Sequence, residues 1–181
     1  MPIPPPRSDH ILRADLESLF PNLIGSGWVP KSDWDPRYKC IAWAASESYR
    51  NWWPIDNPPF CYWPTQVFND NVDTFIEAFG KLGYRKCDNR GFEIGYQKVA
   101  IYALINGRVK HMARQHVLGR GWLSKMGELE DILHLRLSDI EGDASPLSTE
   151  YGEVAQVLKR NLLVAIVFVT WQRIRKLLGF W

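Results

Sequence analysis

The chain of 181 residues is long enough to bury a core, and its 46% apolar and 23% charged content is typical of a globular protein and excludes general disorder. A net charge of only +2 excludes the strongly basic surface of nucleic-acid-binding proteins, so we expect no nucleic-acid partner. Three cysteines without CxxC or Cys/His spacing exclude a disulfide framework and a metal site, and we expect no cofactor.

The beginning of the chain is rich in proline and predicts a polyproline-like extension over residues 1–9. This stretch lacks the apolar core of a signal peptide, so the expected location is cytoplasmic, with peripheral membrane attachment as an alternative. We expect residues 10–160 to form one domain and residues 161–181 to form an apolar and amphipathic helical tail.

In the first third of the chain, two helices alternate with two loops. Apolar residues at helical spacing predict a helix over Asp9–Phe20, with Asp9 as its cap. Gly, Pro and Asp predict a loop over Pro21–Tyr38, and a short helix follows over Cys40–Arg50. The prolines of Asn51–Pro64 then exclude a helix interior or a central strand and predict a second loop.

The next part of the chain predicts a helix followed by an antiparallel sheet. The helix begins at Asn71 and ends at Gly83. The predicted strands are Tyr84–Cys87, Lys98–Leu104, Arg108–Gln115 and Trp122–Lys125, with a tight turn at Asn106–Gly107. Leucine and isoleucine spacing after Gly127 predicts a further helix, which would include His134.

The last thirty or so residues predict one long helix that begins near Tyr151. Its part from Leu162 to Val169 is apolar on all sides, but covers only about half of the ~20 residues needed to span a bilayer. We expect a contact with a partner protein or a second copy of the chain, and a membrane surface is the alternative. The predicted contact residues are Phe168, Trp171, Leu178 and Trp181.

Cys40 is the candidate nucleophile because free N–H groups at a helix start favour a thiolate. The alternative is a small buried apolar residue, which is the usual role of a free cysteine. A nucleophilic thiol also needs an imidazole, and His111 is placed on a predicted strand where it alternates with Val109 and Ala113. A lone strand histidine is more often a satisfied core residue, and His116 and His134 are alternatives.

Tryptophan is unusually frequent, with nine residues, most of them between Trp28 and Trp63 in proline-containing loops. Such residues are either lids on a core or contacts for a ligand. The candidate walls of a substrate cleft are Trp34, Trp52, Trp53 and Trp122.

The order of a cysteine at a helix start, a hairpin and a histidine on a strand resembles the papain-like superfamily, nearest its NlpC-type amidases and peptidases of bacteria and phages. Four phrases, YKCIAWA, KVAIYA, VKHMARQ and WLSKMG, also resemble a bacterial domain family of unassigned function, over about Trp34 to Leu158. The resemblance implies an α+β fold in which a cysteine-bearing helix packs on a small antiparallel sheet, with a long C-terminal helix beyond it. It also implies Cys40 as nucleophile and His111 as general base.

The chain departs from the NlpC pattern at several positions. Lys98 stands where that pattern has its histidine, Lys39 stands where it has an aspartate, and no Gln or Asn lies just before Cys40. The third catalytic group is left open by the sequence, with Gln115, Ser124 and Asp131 as candidates.

Two hypotheses follow. The first is a cysteine-dependent hydrolase that cleaves an amide of a peptide or protein substrate through an acyl-enzyme. The second is a non-catalytic module that binds a protein partner or a membrane through the Trp-rich loops and the C-terminal helix.

Overall fold

The computed structural model describes residues 9–56, 61–167 and 170. Its α-helices are α1 (Asp9–Leu19), α2 (Cys40–Ala44) and α3 (Val72–Gly80), and its strands are β1 (Val29–Pro30), β2 (Asn51–Trp52), β3 (Cys61–Tyr62), β4 (Arg85–Cys87), β5 (Tyr96–Ala103), β6 (Val109–Gln115), β7 (Trp122–Lys125), β8 (Asp131–His134) and β9 (Glu153–Asn161). Seven strands form one antiparallel sheet in the order β1-β8-β7-β6-β5-β9-β4, and β2 pairs with β3 in a small parallel pair. The predicted α+β class with an antiparallel sheet is confirmed.

Local sequence patterns correctly predicted most of the helices and strands in the middle part of the chain. The four strands predicted from Tyr84 to Lys125 are present as β4 to β7, and the turn at Asn106–Gly107 joins β5 to β6. Helix α3 begins after Asn71, whose side-chain oxygen accepts a hydrogen bond from the backbone N–H of Thr74 at 3.0 Å. Helix α2 ends at Ala44, earlier than predicted, and Ser46 follows with a left-handed φ of 68°.

The prediction of one long C-terminal helix is wrong. Residues 153–161 form β9, which lies between β5 and β4 and pairs with both. The apolar residues Val154, Val157 and Leu158 fit a helical spacing, but the hydrogen bonds offered by two neighbouring strands outweigh that local preference. The described helix begins only at residue 162 and is short.

The helix predicted after Gly127 is also wrong. The chain turns at Gly127, which has a φ of 63°, and returns as β8 beside β7. Strand β1, in a stretch predicted to be a loop, pairs with the other edge of β8, and Leu137–Ile140 form a 3-10 turn. Pairing on both edges of β8 therefore sets the conformation of His134.

The sheet separates two cores. The α1 face is the side where Leu12 and Leu16 of α1 pack with Tyr102 and Ala113 of the sheet. The α2 face is the opposite side, where α2 and α3 pack on the sheet; its cluster includes Cys40, Ile41, Phe75, Phe79, Val99 and Met112. This division decides which candidate residues can meet.

Candidate functional site

Cys40 is the first residue of α2, as predicted, but it lies inside the core of the α2 face and is only 7% exposed. Burial raises the pKa of its thiol because the thiolate would lose its hydration. Backbone N–H groups of Met112, Ile41 and Cys40 itself act in the opposite direction without cancelling the effect. Cys40 is therefore a protonated thiol at neutral pH, not the predicted thiolate.

His111 lies on the other side of the sheet from Cys40, so the predicted thiol–imidazole pair does not form. His111 pairs with Tyr102 and lies on the α1 face with Ala113, where its ring stacks on Tyr151 with centroids 4.1 Å apart. A β-bulge at Lys110, between the pairs Tyr102–His111 and Ala103–Val109, puts Val109 on the α2 face instead, so the predicted alternation of His111 with Val109 does not hold.

Thiol reactivity distinguishes the half-buried Cys61 from the buried Cys40 and Cys87. We expect one of the three cysteines, the half-buried Cys61, to react rapidly with Ellman's reagent in the folded protein, because Cys40 and Cys87 are buried. The Cys61→Ser variant should lose this rapid phase, and the matched Cys40→Ser variant should retain it. Loss of the rapid phase in Cys40→Ser would contradict the buried-thiol assignment and restore Cys40 as a reactive residue.

His111 is part of a buried His–Ser–His chain formed by His111, Ser124 and His134. Nε2 of His111 lies 3.1 Å from Oγ of Ser124, which lies 2.9 Å from Nε2 of His134. Nδ1 of His134 lies 2.7 Å from the carbonyl oxygen of Arg136 and must donate to it. The hydroxyl of Ser124 therefore donates to His134 and accepts from His111.

All three residues of the His–Ser–His chain are fully buried. Burial lowers the pKa of His134 to about 4 and holds the pKa of His111 well below its ordinary value, so both rings are neutral near pH 7. Nδ1 of His111 is a buried nitrogen that has no hydrogen-bond partner among the described residues. Hydrogen bonding to an oriented imidazole could activate a serine as a nucleophile. Ser124 has no access to a substrate, however, so the His–Ser–His chain is a structural hydrogen-bond network.

Sequence reasoning missed the pairing of Ser124 with His134 because it placed His134 in a helix. The signal that could have found it is the spacing between Ser124 and His134 on either side of Gly127, since two short strands around a glycine turn bring such residues to one face. Ser124 itself was a candidate third catalytic group. It does lie beside His111, but His111 is not paired with Cys40, so Ser124 does not have the role predicted for it.

Asp131, another candidate third group, lies on the α2 face, and its described side-chain contacts there include no imidazole. The hydroxyl of Tyr38 donates to its Oδ2 at 3.1 Å, and the ammonium of Lys125 lies 3.9 Å from its Oδ1. Burial raises the pKa of Asp131 and lowers the pKa of Lys125, because each charge is removed from water. Asp131 thus holds Tyr38 and Lys125 together at the end of β7.

The remaining predicted site residues are dispersed. Gln115 and Trp122 are paired on the α1 face, and Nε2 of Gln115 donates to the carbonyl oxygen of Arg90 at 3.5 Å. Trp52 and Trp53 pack against α3 on the α2 face, and Trp34 is half-buried in a loop. The predicted tryptophan wall of a cleft is therefore divided between the two sides of the sheet.

An exposed apolar segment follows β9 directly. In this segment, residues 162–167, the backbone N–H of Leu162 donates to the carbonyl oxygen of Gly95 at 2.8 Å and Ala165 is buried. The outward side chains Leu163, Val164, Ile166 and Val167 are 72%, 46%, 55% and 69% exposed. The contact residues predicted nearby, Phe168, Trp171, Leu178 and Trp181, lie outside the described residues.

A family model described as "Domain of unknown function (DUF7689)" matches residues 30–159. The chain belongs to the DUF7689 family. The matched range begins at Pro30, the second residue of β1, and ends within β9. It includes Cys40 and the His–Ser–His chain, whereas α1 and the apolar segment lie outside it. No curated protein and no solved structure matches the chain.

Within residues 9–56, 61–167 and 170, no helix is both long enough and apolar enough to cross a bilayer. In the same residues, no three His, Cys, Asp or Glu side chains are grouped so that they could hold a metal ion.

Proposed function

We propose that this DUF7689 chain is a non-catalytic interaction module whose working surface is the apolar segment, residues 162–167. The observation that carries the proposal is the exposure of four large aliphatic side chains within little more than one helical turn. A contiguous apolar surface on a folded domain costs free energy in water, and such patches typically mark sites of association.

The base of the segment is held to the domain, which makes the exposed side a defined surface. Ala165 is buried at that base. Val164 packs over Gly83: a methyl group built on that glycine would lie 3.1 Å from Cγ1 of Val164. The segment also lines an open apolar recess with Gly80, Lys81 and Leu82. The partner therefore meets a surface that is formed by both the segment and the end of α3.

A papain-like relation is supported by the position of Cys40 at the start of a short helix on an antiparallel sheet. On this scaffold, Met112 is one of the sheet residues in the core cluster of Cys40, and His111 lies on the opposite face. A methionine cannot accept the thiol proton, so this arrangement favours a scaffold that has no thiol–imidazole pair.

The thiol hydrolase is the second candidate, and one observation favours it. Three backbone N–H groups, those of Cys40, Ile41 and Met112, lie near the thiol, and such groups could also stabilise an oxyanion. Its substrate would be an amide of a peptide or protein. This candidate requires Cys40 to react faster than Cys61, which the thiol measurement above tests directly.

Site-specific photo-crosslinking tests the interaction module. With a photo-reactive amino acid at position 167 of the full chain, we expect adducts with protein or lipid in expressing cells, because Val167 lies in the proposed contact surface. The matched control places the same amino acid at Ile105, which is 81% exposed in a hairpin turn remote from this surface. Equal or absent adducts at the two positions would contradict the proposal.

A further inference from the structure

The apolar segment is bordered by positive charge on the folded domain. Lys81 is exposed and lines the same recess as Leu163 and Val164. Arg85 is exposed on β4 and lies over the ring of Tyr96, the residue that pairs with Asn161 at the base of the segment. The surface that surrounds the aliphatic side chains therefore carries cations suited to an anionic partner.

The sequence that follows the apolar segment also carries a positive net charge. Residues 161–181 contain Arg173, Arg175 and Lys176 and no Asp or Glu. The same stretch contains Trp171 and Trp181, and tryptophan is enriched where a protein meets the headgroups of a membrane. Apolar, aromatic and basic residues are thus combined, as in helices that lie in a membrane interface.

The apolar pattern favours lipid over a protein groove. A helix that binds a protein groove typically presents one apolar stripe and keeps a polar face toward water. Residues 162–169 contain no polar residue, so no side of this run is suited to water, yet they are too few to span a bilayer. A run that inserts partly among lipid headgroups and acyl chains avoids water without having to span the bilayer.

We propose that the apolar segment and its cationic border form a site that binds the surface of a membrane containing anionic lipids, an inference that rests on the interaction module proposed above. Leu163, Val164, Ile166 and Val167 enter the interface, and Lys81 and Arg85 contact the anionic headgroups. The domain remains outside the hydrocarbon.

Vesicle co-sedimentation of the full chain tests this inference. Vesicles of phosphatidylcholine with a minority of phosphatidylserine are expected to bind the protein, whereas vesicles of phosphatidylcholine alone bind it much more weakly. The Lys81→Glu and Arg85→Glu variants should each lower the partition coefficient roughly five-fold or more, since one surface cation contributes about that factor near anionic lipid. High salt should reduce binding for the same reason.

The apolar contribution is tested with a pair of matched double variants. Leu163→Ser with Val167→Ser should reduce vesicle binding by at least roughly ten-fold. Leu147→Ser with Ile105→Ser removes two large aliphatic side chains that are 95% and 81% exposed away from the segment, and should leave binding unchanged. Circular dichroism and the unfolding midpoint of each variant establish that it is folded.

The outcomes separate the two proposals. Equal, salt-insensitive binding to both kinds of vesicle overturns the anionic-lipid inference. No vesicle binding, together with protein adducts at position 167, also overturns it but leaves the interaction module standing. Vesicle binding that is unaffected by the Leu163→Ser, Val167→Ser substitutions places the lipid contact elsewhere and overturns the anionic-lipid inference, and absent adducts at position 167 would overturn the interaction module as well.

Discussion

The Gly152→Ala variant is expected to lose about 2–5 kcal/mol of its free energy of unfolding. Gly152 has a φ of 72° immediately before β9, where Ala103 pairs with Glu153. A Cβ at this position would overlap the carbonyl oxygen of Ala103 and lie 2.7 Å from its carbonyl carbon. The left-handed conformation costs about 1–2 kcal/mol, and the backbone overlap adds about 1–3 kcal/mol.

Gly107→Ala is the matched control. Gly107 has a similar φ of 83° in the β5–β6 turn, but a Cβ there meets no atom within 4 Å. Its variant should lose only the conformational contribution, about 1–2 kcal/mol. Chemical denaturation of both variants measures the difference, and equal losses would show that the close approach of Gly152 to β5 is wrong.

Acid is expected to destabilise the protein through His134. Its pKa is about 4 in the folded protein against an ordinary value of about 6.5 when unfolded. A histidine whose folded pKa is depressed contributes its full stability above the unfolded pKa and loses it as the pH falls toward the folded pKa. Between pH 7 and pH 5, His134 alone should therefore lower the free energy of unfolding by about 2 kcal/mol, and His111 should act in the same direction.

The His134→Asn variant isolates this contribution, because the asparagine amide can still donate toward the carbonyl oxygen of Arg136 but does not titrate. Urea unfolding at pH 7 and pH 5 should show about 2 kcal/mol less pH-dependent loss than in wild type. A wild-type pH dependence in His134→Asn would mean that His134 is not the neutral, buried group described above.

The candidate site shows which features could be predicted from local sequence and which depended on contacts between distant parts of the chain. The position of Cys40 at the start of a helix was predictable, because the preceding loop and the following apolar run are both local patterns. The side of the sheet on which His111 lies relative to Cys40 was not, because it depends on which distant elements pack on each face, and a bulge at Lys110 puts Val109 and His111 on opposite faces. Whether Cys40 and His111 could meet therefore depended on the face of the sheet on which α2 packs.

The sequence by itself determined the parts of this protein that local periodicity and turn chemistry control: α1, α3, the β5–β6 hairpin and the aliphatic run after Asn161. Only the tertiary structure decided that residues 131–134 and 153–161 are strands. Both stretches also fit a helical spacing, and their conformation depends on backbone hydrogen bonds to strands that are remote in sequence. Those pairings placed Ser124 between two histidines, buried Cys40, and left the apolar segment exposed at the end of β9.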